Sequence, residues 1–216
     1  MLDILFTDQQ RFLFWIAALL VAITVHEFSH ALAADRLGDP TPRVQKRLTL
    51  NPLSHLDPLG TLMLFLVGFG WGRPVQFDPY NLANPRRDAA VISFAGPLSN
   101  IILATALSLI VRFSWGLDTT PLLLFKFLLP IIYLNVLLAV FNLLPIHPLD
   151  GGKIFVGLLS AESAGKWDRF LNQYGLMLLL FILLPLFGGA SLVGIIIGPT
   201  VNFILSILLP SQGIFI

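Results

Sequence analysis

The chain has 216 residues, of which 56% are hydrophobic and only 12% charged, and its mean hydropathy is +0.84. No soluble domain of ordinary composition exposes so much apolar surface, so the composition indicates a polytopic protein embedded in a lipid bilayer. The net charge of +1, without a basic stripe, gives no indication of nucleic acid as a partner, and the absence of cysteine excludes disulfides and thiolate metal sites.

Five apolar runs are long enough, or nearly so, to cross a bilayer as helices, which takes about 20 residues. They cover residues 12–34, 89–111, 122–144, 170–187 and 190–209. A sixth run, residues 59–71, is too short to cross and ends in a glycine-rich stretch, so we expect a strand or a re-entrant loop that lines a cavity. The sequence predicts an α-helical polytopic membrane protein with about five transmembrane helices and one short membrane-associated β or re-entrant segment.

Toward the end of the first run lies His26-Glu27-Phe28-Ser29-His30, an HExxH motif. On a helix, His26 and His30 project from one face, so both imidazoles can bind one tetrahedral zinc ion, with Glu27 beside it as a general base. Chance assembly of the motif in this chain is on the order of one in a thousand. Ionisable groups in an apolar span are energetically unfavourable unless they are used. The motif therefore indicates one Zn²⁺ per chain and hydrolase chemistry.

A catalytic zinc usually has three protein ligands, so one further ligand is expected elsewhere. The candidates are His55, His147 and Asp150, followed by Asp57 and Glu162. Asp150 lies just past the end of the third run, on the side where the first run ends. Its alternative role is the N-cap of a helix over residues 151–159. We expect His147 to lie beside the site rather than in it, and His55 and Asp57 to be turn residues.

The direction in which the site opens follows from lysine and arginine, which concentrate on the cytoplasmic side of membrane proteins. If residues 59–71 dip into the bilayer and return, one side receives Arg36, Arg43, Lys46, Arg47, Arg73, Arg86, Arg87, Lys153, Lys166 and Arg169. The HExxH helix also ends on that side. We therefore expect the active site to open toward the cytoplasm, with the N-terminus outside.

Several segments resemble one family in their order along the chain. They are the HExxH motif, Leu48-Thr49-Leu50-Asn51-Pro52 with His55-Leu56-Asp57-Pro58, Ala95-Gly96-Pro97-Leu98-Ser99-Asn100, Phe141-Asn142-Leu143-Leu144-Pro145 and Leu149-Asp150-Gly151-Gly152. Together they resemble the site-2 protease family of intramembrane zinc metalloproteases, in a minimal prokaryotic form without PDZ or CBS domains. The resemblance covers most of the chain, which we take as a single domain over residues 1–216.

The resemblance implies an endopeptidase of the prokaryotic cytoplasmic membrane that cleaves transmembrane segments of other proteins. It assigns His26, His30 and Asp150 as zinc ligands and Glu27 as the catalytic base. Asn142 would hold substrate or order the site. His147 departs from the family pattern, which leaves a role in proton transfer or as an alternative ligand open.

Two other functions are compatible with a zinc-binding membrane protein. A metal transporter would use the same residues as a transit site, but it would need polar residues that reach the outer face and usually paired repeats, which the sequence lacks. An inactive zinc-binding scaffold would need the ligands but not Glu27. The sequence favours the protease over both.

Two weaker patterns give further expectations. Residues 67–77 end at Pro74-Val75-Gln76-Phe77, where proline suits an edge strand, so this stretch is expected to pair with an unwound substrate. Gly194 and Gly198 form a GxxxG pattern in the last run. It marks either internal packing or a homo-oligomer that forms through the last helix.

Overall fold

Helices make up nearly all of the regular structure in this computed structural model, which describes residues 6–67, 70–114, 122–184 and 191–210. In chain order they are α1 Gln9–Arg36, α2 Thr41–Val44, α3 Pro58–Val67, α4 Pro85–Ser114, α5 Leu122–Asn142, α6 Asp150–Leu158, α7 Ala161–Leu183 and α8 Leu192–Leu208. Two 3₁₀ turns, Pro52–Ser54 and Pro79–Asn81, lie in the connections. Within the described ranges no β-strand forms, and Leu56 and Gly72 make one isolated antiparallel bridge.

Three helices are long and apolar enough to cross a bilayer: α1, α4 and the stretch Leu123–Asn142 of α5. They confirm an α-helical, multi-pass membrane protein. The helix α7 is long but begins with a polar half, and α8 has only 17 residues. The structure therefore shows three of the five predicted spans. Residues 185–187 and 190 of the fourth and fifth predicted runs lie outside the described residues.

The helix α1 carries the HExxH motif in one uninterrupted span. It begins after Asp8, whose carboxylate accepts a hydrogen bond from the Arg11 amide at 2.9 Å. It ends where the Leu37 amide donates to the carbonyls of Ala33 and Ala34, and Gly38 follows with φ 102°, a conformation that glycine adopts readily. The motif thus lies in the last three turns of the span.

The helix α4 is the centre of the bundle, packed against α1, α5 and α6. Helices in lipid associate by close packing, which small residues allow. Accordingly, the fully buried residues of α1 are Ala18, Ala22, Ala31 and Ala34. A larger apolar cluster joins α4 and α5 to α8. These contacts fix α1 against α4 along the length of the HExxH motif.

The short apolar run 59–71 folds mainly as the helix α3, so the strand alternative is wrong for Pro58–Val67. After the helix the chain returns against it: a Cβ on Gly70 would lie 2.3 Å from the carbonyl oxygen of Gly60. Gly72 then pairs with Leu56, and the Arg73 amide donates to the His55 carbonyl at 2.8 Å. The helix α3 and the returning residues 70–73 form a hairpin whose two ends are adjacent. Residues 68–69, between them, lie outside the described residues.

Candidate active site

His26 and His30 lie one turn apart on the same face of α1, and both are buried. Asp150 reaches them from the start of α6. Its Oδ2 atom lies 3.1 Å from His26 Nε2 and 3.2 Å from His30 Nε2. The three ligand atoms fall within 4.8 Å of one another, and this is the one such group of potential metal ligands in the described part of the chain.

The first turn of α6 aims the Asp150 carboxylate at α1. The N-cap of α6 is Leu149 rather than Asp150, so the N-cap alternative for Asp150 is wrong. The next residue is tightly enclosed, since a Cβ on Gly151 would lie 2.2 Å from the Leu144 carbonyl oxygen. Burial opposes ionisation of Asp150, but His30 and His26 attract and hydrogen-bond its carboxylate, and the pKa lies well below its usual range. The group is therefore a carboxylate.

The outer nitrogen of each imidazole also has a partner on α4. His30 Nδ1 lies 2.7 Å from the Ile92 carbonyl oxygen, and His26 Nδ1 lies 2.7 Å from Asn100 Oδ1. A main-chain carbonyl only accepts hydrogen bonds, so His30 Nδ1 carries a proton, and Nε2, on the side of Asp150, is the ring nitrogen that could bind a metal. Such outer partners fix the orientation of histidine ligands in metal sites.

The donor set of the cluster fits zinc. Two imidazole nitrogens and one carboxylate oxygen are ligands typical of a catalytic zinc that keeps one position open. The backbone of α4 closes the cluster on one side: a Cβ on Gly96 would lie 2.4 Å from His30 Nε2 and 2.8 Å from His26 Cε1. Only a residue without a side chain fits there. His26, His30 and Asp150 are thus the residues that would hold one Zn²⁺.

Glu27 shares a cavity of about 120 Å³ with these three residues. A segment that we call the strap, residues 73–78, lines this cavity with Pro74, Val75 and Phe77. The Val75 amide donates to Glu27 Oε2 at 2.8 Å. The Lys153 ammonium on α6 lies 4.7 Å from the centre of the Phe77 ring, within range of a cation–π contact. The strap therefore contacts both the expected base and the helix that carries Asp150.

A buried cation, Arg47, lies near Glu27. Burial lowers the pKa of Arg47, the positive charge of Arg73 lowers it further, and the negative charge of Glu27 opposes both effects. The Arg47 side chain also donates to the Ser54 carbonyl. Arg47 thus places positive charge near Glu27, a feature that the sequence did not predict.

Asn142 and His147 lie at different distances from the chemistry. Asn142 lines the cavity, and its side chain donates to the Leu138 carbonyl at 3.0 Å. His147 does not line the cavity: its buried ring reaches toward α7, with Nε2 3.4 Å from Asp168 Oδ1, longer than a good hydrogen bond. Asn142 therefore lines the same cavity as the cluster, and His147 does not. A role for either residue stays a prediction.

The remaining candidates lie away from the cluster. His55 is fully buried, with Nε2 2.8 Å from the Thr49 carbonyl oxygen. Asp57 accepts a hydrogen bond from the Gly60 amide at 2.7 Å, at the start of α3. Glu162 lies on an exposed face of α7, 3.3 Å from Lys166. His55 and Asp57 occupy the turn positions that the sequence predicts.

Two buried asparagines near the cluster received no role from the sequence. Asn100 lies within a quoted motif, and Asn135 lies inside the apolar run of α5; neither has any exposed surface. A signal was available, since a polar side chain within an apolar span usually has a partner or a function. The Val75 contact offered no such signal, because it uses a backbone amide that every residue except proline possesses.

Comparisons with known proteins agree with the geometry of the site. Residues 14–125 and 118–186 match the family described as Peptidase family M50. The protein named "Putative zinc metalloprotease YwhC" from Bacillus subtilis is 36% identical over 186 residues, which are 81% of each chain. The protein named "Putative zinc metalloprotease Rip2" from Mycolicibacterium smegmatis is 31% identical over 182 residues, 80% of this chain and 67% of that one. No solved structure matches significantly. The chain belongs to peptidase family M50, the site-2 protease family that its motifs resemble.

Proposed function

We propose that this chain is an intramembrane zinc endopeptidase that hydrolyses peptide bonds within transmembrane segments of other proteins. The observation that carries the proposal is the convergence of His26, His30 and Asp150 beside Glu27, with the HExxH residues inside a helix able to cross a bilayer. Buried ionisable groups at such a place are unfavourable unless they serve a function. Membership of a peptidase family supports the same function.

Glu27 is the general base in this proposal. Zinc held by His26, His30 and Asp150 would polarise the scissile carbonyl and lower the pKa of a water molecule. Glu27 takes a proton from the attacking water as the water oxygen bonds to the carbonyl carbon. It then delivers that proton to the amide nitrogen as the C–N bond breaks, which yields a carboxylic acid and an amine. Asp150, as a carboxylate, offsets part of the positive charge of the cation.

Substrate binding requires an unwound transmembrane segment, because the carbonyls of an intact helix are hydrogen-bonded. An extended substrate can pair with free backbone groups beside the site. We place it along the strap, which borders the cavity. Residues 67–77 are expected from the sequence to offer free backbone groups to a substrate, but the Val75 amide donates to Glu27 and is not free. Pairing must use other backbone groups of the strap, while Val75 holds Glu27.

Proline and alanine at position 75 test this arrangement. Val75→Pro removes the amide proton that Glu27 accepts, whereas Val75→Ala retains it. A hydrogen bond to a charged group contributes about 1.5–3 kcal/mol, so we expect kcat to fall roughly tenfold or more in the proline variant alone. Bound zinc should be equal in both. Parental cleavage by a folded Val75→Pro variant would rule out this role. Phe69, which also lies within the expected edge, is outside the described residues.

The decisive experiment on the function combines zinc content with cleavage of a transmembrane peptide in detergent. We expect the parent to hold one zinc per chain and cleave, and Glu27→Gln to keep zinc and lose cleavage, because an amide cannot accept the proton. A transporter would move zinc across vesicles in both proteins and cleave nothing. An inactive scaffold would bind zinc without cleavage or transport. Loss of zinc from Glu27→Gln would instead make Glu27 a ligand.

The arrangement in the membrane completes the proposal. We take α7 and α8 as the fourth and fifth spans and α3 with its return as a re-entrant segment, all within one domain. The basic residues then lie together on the cytoplasmic side, toward which the cavity opens. A homo-oligomer through α8 is supported by one detail: among the described atoms, a Cβ on Gly198 would meet none within 4 Å. Gly198→Leu should then weaken self-association without loss of zinc.

A further inference from the structure

The ring of His26 is held by side chains rather than by the backbone, in contrast to that of His30. We infer that Asn100 and Asn135 form an amide relay that sets the tautomer and orientation of His26, so both are positioning residues of the zinc site. The inference rests on the proposed function only for the identity of the metal. Its basis is a buried chain of hydrogen bonds from α5 through α4 to α1.

Two main-chain carbonyls determine the direction of every bond in the relay. Asn135 Nδ2 donates to the Ile131 carbonyl at 2.8 Å, which turns Asn135 Oδ1 toward Asn100. Asn100 Nδ2 donates to that oxygen at 2.7 Å and to the Ala22 carbonyl at 3.0 Å. Both hydrogens of the Asn100 amide are thus used, and its Oδ1 faces His26 Nδ1 at 2.7 Å.

The opposite orientation of the Asn100 amide is excluded by its surroundings. A flipped Asn100 would put its oxygen against the Ala22 carbonyl and Asn135 Oδ1, both acceptors, and its NH₂ group against His26. Since Asn100, Asn135 and Ala22 are all fully buried, water does not replace the lost bonds. His26 Nδ1 must therefore carry a proton and donate a hydrogen bond to Asn100 Oδ1. Of the two ring nitrogens, only Nε2 can then bind a metal, and it lies on the side of Asp150.

The relay gives α5 a part in the site although α5 supplies no ligand. Asn135 has no contact with His26 in the hydrogen-bond chain and acts on it through Asn100. The Asn100 bond to the Ala22 carbonyl ties the same amide to α1, one turn before His26. A substitution of Asn135 should therefore perturb the metal site less than a substitution of Asn100. In a protein that already lacks Asn100, the substitution of Asn135 should have no further effect on the metal site.

A double-mutant cycle on zinc affinity tests this order. The variants are Asn100→Leu, Asn135→Leu and the double variant, with leucine chosen to keep the branched shape and the number of heavy atoms while removing the amide. Loss of an outer partner of a metal-binding histidine typically costs about 10- to 100-fold in metal affinity, which we expect for Asn100→Leu. Asn135→Leu should lose less zinc affinity than Asn100→Leu, and the double variant should have the same zinc affinity as Asn100→Leu alone. Ser108→Ala is the matched control, because Ser108 is a buried polar residue of α4 bonded only to its own helix.

Two measurements distinguish positioning from a purely structural role. Asn100→Asp keeps an acceptor for His26 Nδ1 but turns its second oxygen toward the Ala22 carbonyl and Asn135 Oδ1, so it should recover only part of the zinc affinity that the leucine variant loses. In the unmutated, zinc-loaded protein, ¹⁵N NMR of the four histidines should show His26 protonated at Nδ1 and bound through Nε2. Metal bound through His26 Nδ1, parental zinc affinity in Asn100→Leu, or additive losses in the double variant would each overturn the inference. None of these readouts requires proteolysis, so a protein that cleaves nothing would refute the proposed function and leave the relay intact.

Discussion

Gly96 offers the sharpest test of the site geometry, because it is the point where α4 touches both histidines. A Cβ at this position would lie 2.4 Å from His30 Nε2, whereas ordinary contacts begin near 3.4 Å, so the ring or the helix must move by about 1 Å. The ring cannot simply retreat, since His30 Nδ1 is bonded to the Ile92 carbonyl one turn earlier on the same helix. Metal ligands tolerate displacements of only about 0.2 Å.

We therefore expect Gly96→Ala to lower zinc affinity by about 10- to 100-fold and cleavage by about 100-fold even when zinc is saturating. Zinc affinity is measured by competition with a chelator, and cleavage with a transmembrane peptide. Gly165→Ala is the control: it makes the same change on α7, where a Cβ would meet nothing within 4 Å, and alanine favours the helix by up to about 1 kcal/mol. A Gly96→Ala protein with parental zinc affinity and cleavage would refute the packing described for this site.

Three further expectations concern ligation, topology and pH. Asp150→Ala should lose zinc and His55→Ala should keep it; zinc loss from His147→Ala with retention in Asp150→Ala would move the third ligand by three residues. Because the chain has no cysteine, single introduced cysteines can report its topology. A cysteine at Thr41 should react with a membrane-impermeant reagent only from the cytoplasmic side, and a cysteine at Thr119, outside the described residues, only from the opposite side. The reverse pattern would place the active site toward the exterior. Burial opposes ionisation of Asp39, but hydrogen bonds from Thr41, Asn81 and Asp78 hold its pKa below the usual value. The ionised Asp39 therefore stabilises the folded protein. This contribution to the free energy of unfolding is complete above about pH 4 and is lost as the pH falls through the pKa of the folded state. The thermal stability of Asp39→Asn should accordingly approach that of the parent at acidic pH, and a gap that persists there would contradict this origin.

The HExxH residues were predictable because their geometry is local. A spacing of four residues on a helix places His26 and His30 on one face, whatever the rest of the chain does. Asp150 is 124 residues away from His26, and no local rule joins them. The resemblance to a family supplied that pairing, and the sequence alone left His55 and His147 open beside it.

The count of spans and the form of the short segment were harder to predict, for two physical reasons. Hydropathy detects apolar length, whereas α7 begins at Ala161 with a polar half that an apolar window omits. For residues 59–71, apolarity is compatible with a strand or a helix, and periodicity does not decide between them in so short a run. The helix Pro58–Val67 forms there, and Gly60 within it and Gly70 after it allow the chain to return closely against the helix.

The orientation of the HExxH side chains depends on contacts that local sequence cannot encode. Glu27 is held by an amide 48 residues away, and His26 by an asparagine 74 residues away that is itself held by one on another helix. By hydropathy Asn135 is only one polar residue in an apolar span. In the folded bundle, however, Asn135 is linked through Asn100 to the imidazole ring of His26 in the HExxH motif. The motif thus determines which atoms can bind zinc, and the packing of α4 and α5 against α1 determines the direction in which those atoms point. Substitutions that spare the motif but alter that packing should therefore change zinc affinity before they unfold the protein.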